Sequence, residues 1–158
     1  MENTEFKELL LNIAVLAIAC DGHIDDREIE ALHRIEKDSP YFSAIDLSKN
    51  LESALQACSE NLELFKKNIF NILSSNSLNI VQELTALEIS LRIIAADEIE
   101  EDSEKLFINE LRAQLALEDF IINKRFGDIA YLKPKKSEFN RNKPDDLEGI
   151  NFKSTEKE

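Results

Sequence analysis

"ACDGHIDDREIE", residues 19–30, joins two stretches of opposite character. Before it runs the apolar "LLLNIAVLAIAC" (9–20), and after it a charged segment with an apolar residue every three or four positions. From Asp21 the stretch spells D-G-x-I-x-x-x-E, the closing half of an EF-hand calcium loop. Such a loop also needs oxygen ligands at its first, third and fifth positions. With Glu28 as the closing residue, the first and third positions are Ala17 and Ala19, neither of which has a side-chain oxygen, and both belong to the apolar run. The stretch is therefore a turn between two helices, and the chain around it is helical.

Working upstream, Phe6, Leu9, Leu10, Ile13, Leu16, Ala17 and Cys20 fall at steps of three and four. Leu11, Ala14, Val15 and Ile18 cover the other side, which predicts a helix buried on most of its surface. Gly22 stands where a helix C-terminus favours positive φ. Downstream, a second helix begins near Asp26 with Ile29, Leu32 and Ile35 inward. "KDSPYFSAID" (37–46) is a connection punctuated by Pro40, with Tyr41 and Phe42 placed to lie over the core. A third helix carries Leu47, Leu51, Ala54, Leu55 and Cys58; a fourth carries Leu62, Phe65, Ile69, Ile72 and Leu73. "SSNS" (74–77) interrupts the period and offers caps. A fifth helix carries Ile80, Leu84, Leu87, Leu91, Ile94 and Ala95; a sixth carries Phe107, Ile108, Leu111 and Leu115. A short seventh ends near Gly127. The expectation is an all-α bundle of about seven helices over residues 1–128. Residues 129–158, with two prolines and no helical period, form an extended or disordered tail.

Charge follows the same division. Residues 1–128 hold 26 Asp+Glu against 12 Lys+Arg, while residues 129–158 hold 6 against 7. The formal net charge of −13 repels nucleic-acid backbones and attracts divalent cations or basic proteins. Cys20 and Cys58 form no CxxC pair and read as small apolar core residues of a reducing compartment. The apolar run 9–20 is too short to span a bilayer and is preceded by Glu2, Glu5 and Glu8 rather than a basic cluster, so neither a signal peptide nor a transmembrane segment is expected. A cytoplasmic protein is the simplest expectation. There is no P-loop, nucleotide fingerprint, GxSxG or HExxH, which argues against an enzyme.

The opening stretch recurs. "AIACDGHIDDREIEALHRI" (17–35) aligns without gaps on "IIAADEIEEDSEKLFINEL" (93–111) at an offset of 76 residues. Asp21 pairs with Asp97, Asp25 with Glu101, Asp26 with Asp102 and Glu28 with Glu104, while Gly22 pairs with Glu98. A helix–acidic turn–helix unit is thus duplicated, and two such units packed about a pseudo-twofold axis would bring their turns together.

A buried helix ending in A-x-D-G-x-I, followed by acids and a Glu that opens the next helix, and repeated in a later half, resembles the TerB-like family of tellurite-resistance proteins. The same domain type occurs in a membrane-anchored DnaJ-like co-chaperone. The resemblance spans about residues 5–127; the second copy lacks the Gly, and the 37–46 connection and the tail have no counterpart. It implies two related helical halves and a non-enzymatic role in stress response, tellurite resistance or phage defence, through complexes near the inner membrane face. It also implies a divalent-metal site at the turns: Asp21, Asp25 and Glu28, with Asp97, Glu101 and Glu104. Oxygen ligands of this kind suit Ca, Mg or Mn.

Simpler roles compete for the same residues. Asp25 and Glu28 have capping-box spacing, and acids in a first helical turn complement the macrodipole. Asp21 and Asp97, at the ends of the preceding helices, oppose that dipole and call for a basic group, a turn N–H or a cation. His23 adds an imidazole to the first turn but pairs with Ile99 in the second. The alternative function is a metal-free acidic interaction module, an immunity protein or chaperone adaptor docking a basic partner.

Overall fold

The structure is a computed structural model and describes residues 1–43, 45–97, 102–129 and 131–132. Among the described residues the chain forms seven α-helices and no strand: α1 (Asn3–Ala19), α2 (Asp26–Asp38), α3 (Leu47–Glu60), α4 (Leu62–Ser74), α5 (Ile80–Ile94), α6 (Asp102–Gln114) and α7 (Asp119–Phe126). Short 3-10 turns occupy Pro40–Phe42 and Ala95–Asp97. The tail expected beyond residue 129 lies, apart from Tyr131 and Leu132, outside the described residues.

The chain divides into two compact units, Met1–Leu117 and Glu118–Glu158. In the second, α7 closes at Gly127, which donates its N–H to the Asn123 carbonyl at 2.8 Å and whose φ of 78° then turns the chain out of the helix. The first unit is organised on α1. From Leu9 to Ala19 every residue except Asn12 is buried, and this helix packs against α2, α3, α4 and α5. No solvent-facing stripe remains over that length, as the all-round apolar sequence requires.

The repeat is visible in the backbone. Shifting α2 by 76 residues gives the bounds of α6, and α1 shifted likewise overlies α5. Inward positions correspond too: Leu32 with Ile108 and Ile35 with Leu111 are all buried, as are Ile13 and Ile89. The two α1-like helices pack on each other, and α2 packs on α5.

Caps set the remaining boundaries. Asp46 and Asn61 accept the Lys49 and Leu64 N–H groups, each at 3.1 Å, opening α3 and α4. Asn61 also donates its own N–H to the Ala57 carbonyl, so one residue ends α3 and starts α4. Asn79 and Gln82 form a reciprocal capping box on α5. The "SSNS" segment serves the end of α4 instead: Ser75 and Ser77 donate to the Ile72 carbonyl, and Asn76 takes φ 60°. Phe42 is buried as expected, but three residues placed inward are exposed: Ile72, Ile80 and Ala95. The buried face of α5 runs through Glu83, Ala86, Leu87, Ser90, Ile93 and Ile94, which leaves Ile80 in the first turn beyond its edge.

Burial decides the energetic weight of each position. Ile13→Ala, at a fully buried site, should cost about 2–5 kcal/mol in urea denaturation, whereas Ile80→Ala should stay within about 0.5 kcal/mol. Equal costs would mean that α1 is not the centre of the core.

Candidate functional site

The first acidic turn is built from backbone donors. After α1, Cys20 is still right-handed helical, and Gly22 at φ 85° donates its N–H to the Ala19 carbonyl at 2.9 Å. Asp21 then accepts the His23 N–H through Oδ1 at 2.8 Å. That is the turn N–H its position against the helix dipole calls for, and it engages one of the two carboxylate oxygens. The His23 side chain is exposed. Asp25 is the N-cap of α2, its Oδ1 taking the Arg27 N–H at 2.8 Å and its Oδ2 lying 3.4 Å from the Arg27 guanidinium. The Arg27 backbone N–H, and after it the Arg27 side chain, hold the Asp25 carboxyl below its ordinary range. Ala17 and Ala19 lie buried inside α1, where an EF-hand would need loop.

Glu28 differs from its neighbours. It is 1% exposed, turned into the protein from the first turn of α2. Its repeat partner Glu104, in the first turn of α6, is also 1% exposed. Both are near enough to Cys20 for their charges to act on its thiol. Burial pushes the Cys20 thiol up to about 12, and the negative charges of Glu104, Asp21 and Glu28 push in the same direction. The thiol donates to the Ala17 carbonyl at 3.3 Å. The 3-10 turn Ala95–Asp97, which begins the second acidic turn, packs against α2. Both repeats, through Glu28 and Glu104, thus contribute a buried carboxylate to the surroundings of Cys20. The Asp97 side chain and Glu101 lie outside what the structure describes. Among the described residues, no three of His, Cys, Asp and Glu are grouped to hold a metal ion.

Three buried polar residues escape a reading based on apolar period and acidic motifs. Glu83, 2% exposed, accepts the Ala116 N–H with both carboxylate oxygens at 3.1 Å, fastening the segment after α6 to α5. Ser90 is fully buried and donates to the Ala86 carbonyl at 3.0 Å. Arg112 is 1% exposed between Leu111 and Leu115. Their signal was position: Glu83 stands three and four residues before Ala86 and Leu87 on the inward stripe. Cys58 is buried and Cys20 half-buried, both as free thiols.

Compared with known proteins, the chain matches no family model, no curated protein and no solved structure.

Two outcomes follow from this geometry. At pH 8 a thiol at about 12 carries roughly a thousandfold less thiolate than one at 9.0, so folded protein should alkylate at Cys20 roughly that much more slowly than unfolded chain. Glu104→Gln should speed the folded reaction by removing a repelling charge; mass-spectrometric rates per cysteine would show whether it does. For Asp25, whose acid form is disfavoured on folding, the contribution to stability is present above about 3.8 and lost as pH falls through the lower folded value. Asp25→Ala should lower the melting temperature while Asp25→Asn, which also caps, keeps it; matched losses would refute the capping role.

Proposed function

We propose that this chain is a non-enzymatic, TerB-like binding module of a stress or resistance assembly, in which acids of the two repeated turns and of the helix starts that follow them dock a basic segment of a protein partner. The observation that carries this reading is that Glu104, Asp21 and Glu28 all raise the Cys20 thiol, which brings acids of both repeats into one region of the protein. The two segments that supply them are 76 residues apart in sequence. Asp26 and Asp102 are exposed at the starts of α2 and α6. Like charges held side by side repel one another, and an arriving Lys- or Arg-rich segment relieves that repulsion, with fast and salt-sensitive association. No helix among the described residues is long and apolar enough to cross a membrane.

Of the six residues in the cation site that the resemblance implies, the Asp97 side chain and Glu101 lie outside the described residues. Asp21 and Asp25 each give one oxygen to a turn or cap N–H, which leaves their second oxygens for a partner's cationic groups.

The test is anisotropy of a labelled Lys-rich peptide titrated with chelator-treated protein. The quadruple variant Asp21→Asn, Asp25→Asn, Asp26→Asn, Asp102→Asn removes charge from the turns and helix starts and keeps a capping residue at position 25. It should weaken binding at least about tenfold, the scale of a few charge pairs. The control Glu52→Gln, Glu60→Gln, Glu63→Gln, exposed on α3 and α4, should weaken it little. Equal losses in the two variants would mean that net charge alone attracts the peptide and would sink the reading. A rise in melting temperature with Ca, Mg or Mn, absent from the quadruple variant, would replace it with a cation site.

A further inference from the structure

Of the five arginines in residues 1–128, two line one cleft of about 300 Å³ between α2 and the end of α5. Arg34 comes from α2 and Arg92 from α5, with Ala31, Ile35 and Ala95 between them and Asp38 also on the lining. None of the acidic-turn residues takes part. Ala31, Arg34, Ile35 and Asp38 fall at steps of three and four, so they form one stripe of α2; Arg92 and Ala95 continue the opposite wall. Ile35 and Ala31 are buried and give a dry floor, and the alanines leave the space that larger side chains would fill.

The two guanidinium groups differ in what they already meet. Among the described residues Arg34 makes no hydrogen bond or ion pair. Arg92 forms an ion pair with Glu88 at 3.7 Å, longer than the roughly 2.7–2.9 Å of a charge-assisted hydrogen bond, so its N–H groups are not engaged by that carboxylate at hydrogen-bond distance. Asp38 on the lining and Glu88 beside Arg92 balance the two positive charges, so the cleft is close to neutral in a strongly acidic body. A guanidinium presents N–H groups in a planar fork that matches two oxygens of one group, which a lysine does not. The volume is at the lower end of small-ligand pockets.

We infer that this cleft binds a small ligand through an oxyanion group, a carboxylate or a phosphate, held between Arg34 and Arg92 with its apolar part over Ala31, Ile35 and Ala95. It uses none of the acids named for docking, so it does not rest on the docking reading. The experiment is an amide-shift titration of isotope-labelled full chain with inorganic phosphate and, separately, succinate, at constant ionic strength set by chloride. Expected are saturable shifts in residues 31–38 and 92–96. Arg34→Gln with Arg92→Gln should weaken binding about tenfold or more. Ala95→Leu, at an exposed position, should abolish it by filling the cleft while both arginines stay. Arg27→Gln, outside the cleft, should change nothing. Saturation by one anion alone identifies the oxyanion group; shifts that rise linearly with both, or that survive the double variant and Ala95→Leu unchanged, overturn the proposal.

Discussion

Desolvation of α1 is the constraint on which the rest of the first unit depends. Eleven of its residues are buried, and a helix with no wet side needs neighbours on all sides. Helices α2, α3, α4 and α5 supply them. Each fully buried Leu or Ile contributes about 1.5–3 kcal/mol relative to exposure, so the assembly around α1 outweighs any surface ion pair in the molecule. The position of α1 fixes where its C-terminus emerges, and therefore where the first acidic turn stands. Its repeat counterpart α5 lies against it, and the Ala95–Asp97 turn that follows α5 packs on α2.

The acids of the body serve different ends according to depth. Glu28, Glu83 and Glu104 are inside, while Asp26, Glu30, Glu36 and Asp38 face water on α2. A buried carboxylate is costly to leave unsatisfied, and Glu83 shows how the cost is met: a backbone N–H is bound by both oxygens. Exposed carboxylates cost little individually and set the long-range field instead. The same residue type thus organises the interior in one place and shapes encounters in another.

Much of this was legible before any coordinates. Helix number, the start of α2 at Asp26, the positive φ of Gly22 and the duplication all follow from period, punctuation and self-comparison, because these are local properties of the chain. Ile72 and Ile80 show the limit: an apolar residue at a plausible helical spacing can still face water. The turn acids show another. Spacing alone could not separate a cap from a ligand at Asp25, nor tell that Glu28, three residues on, points inward. Asp21 called for a compensating group, and only the fold reveals that the donor is the His23 amide. The paired arginines come from positions 34 and 92, and nothing local to either announces the other.

Asn61 carries a consequence for how the molecule moves. Its amide closes α3 and its side chain opens α4, leaving no spare residue between the two helices. A joint with no slack cannot let one helix unwind at this end without disturbing the other. Fraying at this end of α3 would therefore pull on the cap of α4 as well. An inserted residue at this corner would part the amide that ends α3 from the side chain that opens α4, so one residue could no longer serve both helices.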